Sequence, residues 1–327
     1  MTDHLARIGE LARDLLPRYG FSPRAQATLI NHSENATYRI DDPEQAAPAI
    51  LRVHRRGYHT EPAIRSELHW LEALGRHDGI VTARAIPARD GSLIQTVSSA
   101  ALPEPRHAAM FTFLSGAEPT EHDLIGPFER LGTVSAHMHD QARNWTLPEG
   151  FTRQVWDHDG ALGQRSIWGR WQNGIGMTPA REQLFARLSE VIRRRLEQFG
   201  RGRDRFGLVH ADIRLANLLV EGDVTKVIDF DDCGFGWFLY DIGTALSFIE
   251  HRPDVPELVA AWLRGYRKVA LLSAADEAEI PTFIMLRRLL LVAWIGSHHE
   301  TDLAQSMGAA YTAGSCDLAE AYLSKFG

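Results

Sequence analysis

The period of the hydrophobic residues changes about a third of the way along the chain. Before residue 115, short apolar runs alternate with polar residues and polar turns, which predicts β-strands. These runs lie at 28–30, 38–40, 49–54 and 110–114. After residue 115, apolar residues recur at intervals of three and four, which predicts helices. The helical stretches are 128–139, 181–199, 255–271 and 279–296, and two more lie in the first part, at 5–16 and 64–74.

One segment of the helical part carries polar residues at a fixed spacing. Asp212 is followed five residues later by Asn217, and Asp229 comes after two short apolar runs around the turn at 221–223. The runs predict a hairpin, which would bring Asn217 close to Asp229. An Asp, an Asn five residues on and a second Asp after a strand is the spacing of a phosphoryl-transfer site. The alternative is that all three are turn residues that bond to their own backbone.

The chemistry of phosphoryl transfer gives each of these residues a candidate role. Asp212 is the candidate base, which orients the acceptor hydroxyl and takes its proton. Asn217 and Asp229 are candidate ligands of Mg²⁺, which prefers a few hard oxygens together with water and phosphate. Arg214 lies where a cation would neutralise the transferring phosphate, and Asp231 is a further candidate for the metal or the acceptor.

The stretches His210-x-Asp212-x-x-x-x-Asn217 and Ile228-Asp229-Phe230-Asp231 resemble the aminoglycoside phosphotransferase and choline kinase superfamily. Its bacterial members include type II homoserine kinases and a stress-response Ser/Thr kinase. The resemblance covers most of the chain and implies an α+β, two-lobed protein-kinase-like fold that uses ATP and Mg²⁺. Residues 1–114 would form the nucleotide-binding lobe, a small antiparallel sheet with a helix. Residues 115–327 would form a larger, mostly helical lobe with the catalytic loop, the metal site and the acceptor site.

The strand at 49–54 offers a candidate contact to the nucleotide phosphates. A kinase normally places a Lys there and pairs it with a Glu on a helix. No Lys precedes Lys226 in this chain, and Arg52 occupies the position, with Glu67 of the helix at 64–74 as its partner. Arg keeps the charge but replaces a point charge by a planar fork. The alternative is that Arg52 and Glu67 are ordinary surface charges.

Two further segments are candidates for nucleotide binding. The segment 31–38 lies between two predicted strands and resembles the phosphate-covering turn of the superfamily, which makes Ser33 and Asn35 candidate contacts; a plain hairpin loop is the alternative. The strand that ends at 114 runs into Ser-Gly, which is typical of a hinge. The backbone of Thr112 and Leu114 would there read adenine.

Composition limits the compartment and the class of partner. The chain has 327 residues, more than a single core usually holds, so two lobes are expected. Two cysteines cannot make a disulfide framework, and acidic residues interrupt what would be the apolar part of a signal peptide, so we expect a cytoplasmic protein. A net charge of −7 argues against nucleic acid, and no apolar run reaches the length of a bilayer span. The oligomeric state stays open.

The distribution of charge and of aromatic residues indicates the chemical class of the acceptor. Residues 1–114 contain 13 Arg and 13 acidic residues, so the whole negative excess belongs to 115–327. The aromatics of 145–171, among them Trp156, Trp168 and Trp171, form either a box for an amine or the core of a helical insertion. We therefore predict Mg-ATP-dependent phosphorylation of a hydroxyl on a small, amine-bearing molecule. The alternatives are a Ser/Thr protein kinase and a non-catalytic nucleotide-binding protein.

Overall fold

The chain divides into two compact units. The computed structural model describes residues 2–32, 35–98, 102, 104–119, 123–164 and 166–327. The first unit comprises Met1–Gly116, Thr146–Arg153 and Lys226–Asp231, and the second comprises Ala117–Trp145, Gln154–Thr225 and Asp232–Gly327. The sequence suggested a division by function at 114/115, which stays a prediction. The division by contacts adds two later segments to the first unit.

The first unit is built from strands and two helices. Its elements in chain order are α1 (Thr2–Leu15), β1 (Gln26–His32), β2 (Ala36–Asp41), β3 (Ala49–Val53), α2 (Glu61–Leu74), β4 (Val81–Thr82), β5 (Ala85–Ile86), β6 (Gln95–Val97) and β7 (Arg106–Thr112). A 3-10 turn, Leu16–Tyr19, follows α1. The strands predicted at 28–30, 38–40, 49–54 and 110–114 and both predicted helices are confirmed, with bounds that differ by a few residues.

An antiparallel sheet organises this unit. Its strand order is β1-β2-β3-β7-β5, and β6 also pairs with β7. Helix α1 covers one face, where Ile8, Leu11 and Leu15 join the buried core of the sheet. Alternate residues of β3 point to the two faces because the side chains of a strand alternate. Leu51 therefore lies in the core under α1, whereas Arg52 reaches Glu67 of α2.

The second unit is mostly helical. Its elements are α3 (Ile125–Asn144), β8 (Val155–Trp156), α4 (His158–Leu162), α5 (Pro179–Phe199), β9 (Phe206–Val209), β10 (Leu218–Glu221), β12 (Gly234–Trp237), α6 (Tyr240–Ala245), α7 (Val255–Tyr266), α8 (Ala274–Ala278), α9 (Ile280–Ser297) and α10 (Asp302–Phe326). Strand β11 (Val224–Val227) follows β10 after a tight turn, as the sequence predicted, and its end belongs to the first unit. The helix predicted at 255–271 ends at Tyr266, and Leu271 beyond it is exposed.

Helix α9 forms the centre of the second unit. Its buried residues lie all around its circumference, as expected for a helix surrounded by others. The stretch Ala274–Ser297 is long and apolar enough to cross a membrane, but 78% of its most apolar 18-residue window is buried inside the protein. The same helix carries two consecutive buried cations, Arg287 and Arg288.

Helices α3 and α7 approach closely because each has a glycine at the crossing. A Cβ atom added to Gly132 would lie 1.9 Å from the carbonyl oxygen of Trp262, and one added to Gly265 would lie 1.8 Å from that of Glu129. Both distances are far below van der Waals contact and involve backbone atoms. The two glycines therefore allow the backbones of α3 and α7 to touch.

We expect Gly132→Ala to destabilise the protein, because the added Cβ would clash with the backbone of α7. Overpacking of this kind typically lowers the free energy of unfolding by ~1–3 kcal/mol. Gly126→Ala in the same helix is the matched control, since its added Cβ would have no neighbour closer than 3.8 Å. That control should be neutral or slightly stabilising, because alanine favours the helix over glycine. Thermal unfolding of both variants measures the difference. Equal midpoints would contradict the close helix crossing.

Candidate active site

The loop that carries Asp212 is held in place by a buried carboxylate. It follows β9 and leads into a 3-10 turn, Leu215–Asn217. Asp241 at the start of α6 accepts hydrogen bonds from the backbone N–H groups of His210 (3.2 Å) and Ala211 (2.9 Å). Its Oδ2 also lies 3.0 Å from Nε2 of His139, which is fully buried. These bonds fix a loop that contains a left-handed residue, Ala211, with a φ of 67°.

Two arginines surround the Asp212 carboxylate. Arg287 Nη2 donates to Oδ1 at 2.5 Å, and Arg214 Nε donates to Oδ2 at 3.3 Å. Burial acts to raise the pKa of the Asp212 carboxyl, but Arg214, Arg287 and His210 outweigh it and hold the pKa below its usual range. Asp212 is therefore ionised at neutral pH.

Arg287 was not identified from the sequence as a functional residue. Besides Asp212, its guanidinium donates to the carbonyl oxygen of Ala211 (3.2 Å) and to Oγ of Ser247 (2.9 Å). It also lies 4.8 Å from the ring centre of Trp168. The available signal was an Arg-Arg pair inside an otherwise apolar helix, because a cation in such a place is buried only if it is paired.

Asn217 is oriented by the same loop. Its amide nitrogen donates to the carbonyl oxygen (2.8 Å) and to Oδ2 (3.0 Å) of Asp212. With the nitrogen committed to Asp212, the amide oxygen is the atom that can face a cation. This arrangement fits a neutral metal ligand of the kind predicted for Mg²⁺.

In the first unit, Asp229 has a conformation that sets it apart. It is a left-handed residue with a φ of 62°, and 45% of its carboxylate side chain is exposed. No group of three or more His, Cys, Asp or Glu side chains suited to a metal exists among the described residues. An exposed carboxylate fits a Mg²⁺ site that takes few protein ligands and completes its shell with phosphate and water.

Arg52 and Glu67 form the predicted ion pair. Arg52 Nη2 lies 2.6 Å from Oε1 of Glu67, and both side chains are buried, so they are not ordinary surface charges. Arg52 Nη1 also lies 3.9 Å from Asp229 and 3.8 Å from Asp231. Burial opposes the charge on Arg52, but the carboxylates of Glu67, Asp231 and Asp229 raise its pKa. Its guanidinium lies 4.9 Å from the ring centre of Phe111, a contact that suits a planar group.

Asp231 is enclosed by basic groups. Its carboxylate lies 3.5 Å from Nδ1 of His54 and 3.6 Å from Nε2 of His59. Its carbonyl oxygen accepts from His59 (2.8 Å) and from Arg153. Burial acts to raise the pKa of Asp231, but Arg52 and the two histidines hold it well below the usual range. The sequence did not point to His54, His59 or Arg153, because they lie far from Asp231 along the chain.

Four further residues were predicted to contact the nucleotide, namely Ser33, Asn35, Thr112 and Leu114. Ser33 lies outside the described residues. Asn35 is buried, and its Oδ1 accepts from the backbone N–H of Arg55 at 2.8 Å. The backbone N–H of Thr112 donates to the carbonyl of Arg84 (2.9 Å), whereas Leu114 follows the end of β7 and is partly exposed.

The tryptophans of the segment 145–171 were expected to form an amine box or a core. Trp156, Trp168 and Trp171 are at most 5% exposed. Trp156 packs edge-on against Trp168, and the face of Trp168 is taken by Arg287. These three tryptophans therefore form core, and the alternative of an aromatic box for an amine is not supported.

The comparisons with known proteins agree on the family. Residues 26–278 match the model of the phosphotransferase enzyme family, APH. A solved structure of a microcompartment-associated aminopropanol kinase is 46% identical, with 97% of this chain and 98% of that chain covered and a TM-score of 0.89. The amicoumacin kinase of Bacillus subtilis (strain 168) is 26% identical over 84% of this chain and 80% of its own length. A solved amicoumacin kinase in complex with AMP-PNP, Ca²⁺ and Ami is 23% identical, covers 95% of this chain and 91% of that chain, and has a TM-score of 0.76.

These matches confirm the superfamily, the α+β protein-kinase-like fold and the class of enzyme that the sequence indicated. The family model covers more than half of the chain. The chain belongs to the phosphotransferase enzyme family and is an ATP-dependent small-molecule kinase that transfers phosphate to an alcohol group.

Proposed function

We propose that this kinase phosphorylates the hydroxyl of a small amino alcohol and that Mg²⁺ accompanies ATP. The observation that carries the proposal is the 46% identity to an aminopropanol kinase over nearly the full length of both chains. A likeness of this extent includes the elements of both units, and so the acceptor-binding part as well as the nucleotide-binding part. The cytoplasmic location stays a prediction.

An amino alcohol carries a positive charge at neutral pH, so a nearby carboxylate favours its binding. Near the catalytic loop, Asp212 holds two arginines, and Glu250 is fully buried against Arg288. The side chain of Asp232 is partly exposed, and its Oδ1 accepts a hydrogen bond from Nε2 of Gln154 at 3.4 Å. Its carbonyl oxygen accepts from Nε1 of Trp156 at 2.7 Å, which fixes its backbone.

Asp232 interacts electrostatically with two groups near Asp212, namely Tyr240 and Arg287. Burial raises the pKa of Tyr240 to about 12, and the negative charges of Asp212 and Asp232 add to this rise. Asp232 also helps to raise the pKa of Arg287. We propose Asp232 as the partner of the acceptor ammonium, in place of the tryptophan box, because its carboxylate is partly exposed and its backbone is fixed by Trp156.

The roles that follow for the loop residues are those predicted from the sequence. Asp212 orients the acceptor hydroxyl and accepts its proton, while Arg214 supplies positive charge beside it. The amide oxygen of Asn217 and the carboxylate of Asp229 are the proposed ligands of Mg²⁺. Bound Mg-ATP supplies the phosphoryl group and neutralises its charge. The enclosure of Asp231 favours a bracing role over the predicted role as metal ligand.

On the nucleotide side, the proposed contacts are those of the first unit. Arg52, held by Glu67, carries the charge for the phosphates. The backbone N–H of Thr112 already donates to Arg84, so Leu114 is the better candidate for reading adenine. The roles of Ser33 and Asn35 stay predictions.

We expect Asp212→Asn to lose ~10²–10⁴-fold in turnover, the usual cost of removing a general base, with little change in ATP-analogue affinity. Asp229→Ala should instead weaken binding of Mg-ATP, because an anionic oxygen leaves the proposed metal shell. Calorimetric titration with a non-hydrolysable analogue, at several Mg²⁺ concentrations, separates the two effects. Near wild-type turnover of Asp212→Asn would refute its assignment.

Arg287→Gln should move the acid limb of the pH profile of kcat/KM for the acceptor to higher pH. The reason is that Arg287 lowers the pKa of Asp212, and only the ionised carboxylate accepts a proton. Arg287→Lys keeps the positive charge and should restore the position of the acid limb of the pH profile. Its kcat should stay reduced, because lysine lacks the guanidinium that also binds Ala211 and Ser247. An unchanged limb in Arg287→Gln would show that the pair does not tune the base.

The acceptor is tested with aminopropanol, ethanolamine, homoserine, an unsubstituted propanol and a Ser/Thr peptide library. We expect phosphorylation of the amino alcohols and a much higher KM for propanol. Asp232→Asn should raise KM for the amino alcohol by about 10- to 100-fold, the value of one charge-assisted hydrogen bond, and leave KM for propanol unchanged. Equal KM values for propanol and aminopropanol in the wild type would refute the proposal that the enzyme recognises the amine of the acceptor. Phosphorylation of peptides alone would favour the protein-kinase alternative.

A further inference from the structure

Three non-glycine residues with positive φ occur in the part of the chain that the structure describes, namely Ala211, Asp229 and Phe248. The first precedes the proposed base, and the second is a proposed metal ligand. A bulky residue in this conformation is strained, and such strain persists where the surrounding structure enforces it, most often at functional sites. The third is Phe248, a bulky aromatic residue.

The residues on both sides of Phe248 are tied to the two buried arginines of α9. Ser247 Oγ accepts from Nε of Arg287 at 2.9 Å. Glu250 accepts from Nη1 of Arg288 at 2.7 Å and from the hydroxyl of Tyr311 at 3.0 Å. Because all of these groups are buried, the segment 247–250 cannot relax without breaking an ion pair or a hydrogen bond inside the core. This accounts for the persistence of the strain.

The ring of Phe248 lies close to the proposed base. It packs against Trp294 (6.1 Å between ring centres) and Tyr311 (5.8 Å), yet it stays partly exposed. The guanidinium of Arg214 lies 6.0 Å from the centre of the ring, and Arg214 in turn donates to Asp212. The ring is therefore separated from the Asp212 carboxylate by a single guanidinium group.

We propose that Phe248 is a specificity-determining residue that forms a wall of the acceptor site and limits the size of the acceptor. The proposal rests on the proposed function, because it places the acceptor hydroxyl at Asp212. A ring needed only for packing would gain nothing from a strained backbone. A ring that must stand at a fixed place next to Arg214 does gain, since Trp294, Tyr311 and the strained backbone together prevent it from turning aside.

Substitutions that shorten the side chain of Phe248 test whether it limits the size of the acceptor. The phosphorylation activities of Phe248→Ala and Phe248→Gly are compared with that of the wild type on a short amino alcohol and on a bulkier one that carries an aryl group. The same comparison is made with the two matching alcohols that lack the amine. We expect the ratio of kcat/KM, short over bulky, to fall by about tenfold or more in both variants, as is usual when a pocket stops rejecting extra carbon atoms. The KM for ATP should stay within about twofold of the wild type.

Two controls separate the wall from a general loss of structure. Phe326→Ala removes another partly exposed ring, at the end of α10, and should leave the ratio unchanged. Phe248→Gly should unfold at a higher temperature than Phe248→Ala, because glycine adopts a φ of 71° without strain. This order is a readout that loss of packing alone would not give.

The outcomes distinguish the two proposals. Silence of the wild type on amines, together with activity on the plain alcohols, refutes the proposed amino-alcohol function, and the plain alcohols still report the size ratio. An unchanged ratio in both series of acceptors refutes the assignment of Phe248, whatever the acceptor is.

Discussion

The second unit depends on one largely buried ion pair, between Asp212 of the catalytic loop, which is 15% exposed, and Arg287 of α9, which is 1% exposed. Taking both charges out of water is costly, and removal of one partner from such a pair typically costs ~3–5 kcal/mol. The guanidinium offsets this cost by bonding at the same time to Asp212, Ala211 and Ser247. One side chain thus fixes the proposed base, the left-handed residue before it and the segment that leads to Phe248.

The first unit uses the same device with a different arginine. Arg52 is buried on β3 and is paired with Glu67 of α2, and it also faces Asp229 and Asp231. Asp231 is the enclosed carboxylate, whereas Asp229 is exposed and strained. In each unit a buried arginine therefore contacts a carboxylate of a loop, and that loop carries a proposed functional oxygen. We infer that charge pairing in the core, and not the loops themselves, determines the geometry of both parts.

Functional residues that lie close to one another along the chain could be predicted from the sequence, and those that only folding brings together could not. Asp212, Asn217 and Asp229 stand at spacings that the chemistry requires, so a short motif reveals them, and Arg52 could be matched with Glu67 because strand and helix periods were clear. Arg287 lies 75 residues from Asp212, and only folding brings the two together. The left-handed backbone of Phe248 has no signal in the sequence. The tryptophans allowed two interpretations for a related reason, because aromatic residues near carboxylates look alike in a core and in a pocket until their burial is known.

The surroundings of Asp212 also bear on how the base works. Two arginines hold its pKa below the usual range, so it is a weak acceptor of a proton from an alcohol in the ground state. In most analyses, phosphoryl transfer passes through a loose transition state in which the attacking oxygen forms little bond at first. The attacking hydroxyl becomes acidic only as its bond to phosphorus forms, and a weak base suffices at that stage. The arginines therefore favour a carboxylate that orients the hydroxyl first and takes its proton late.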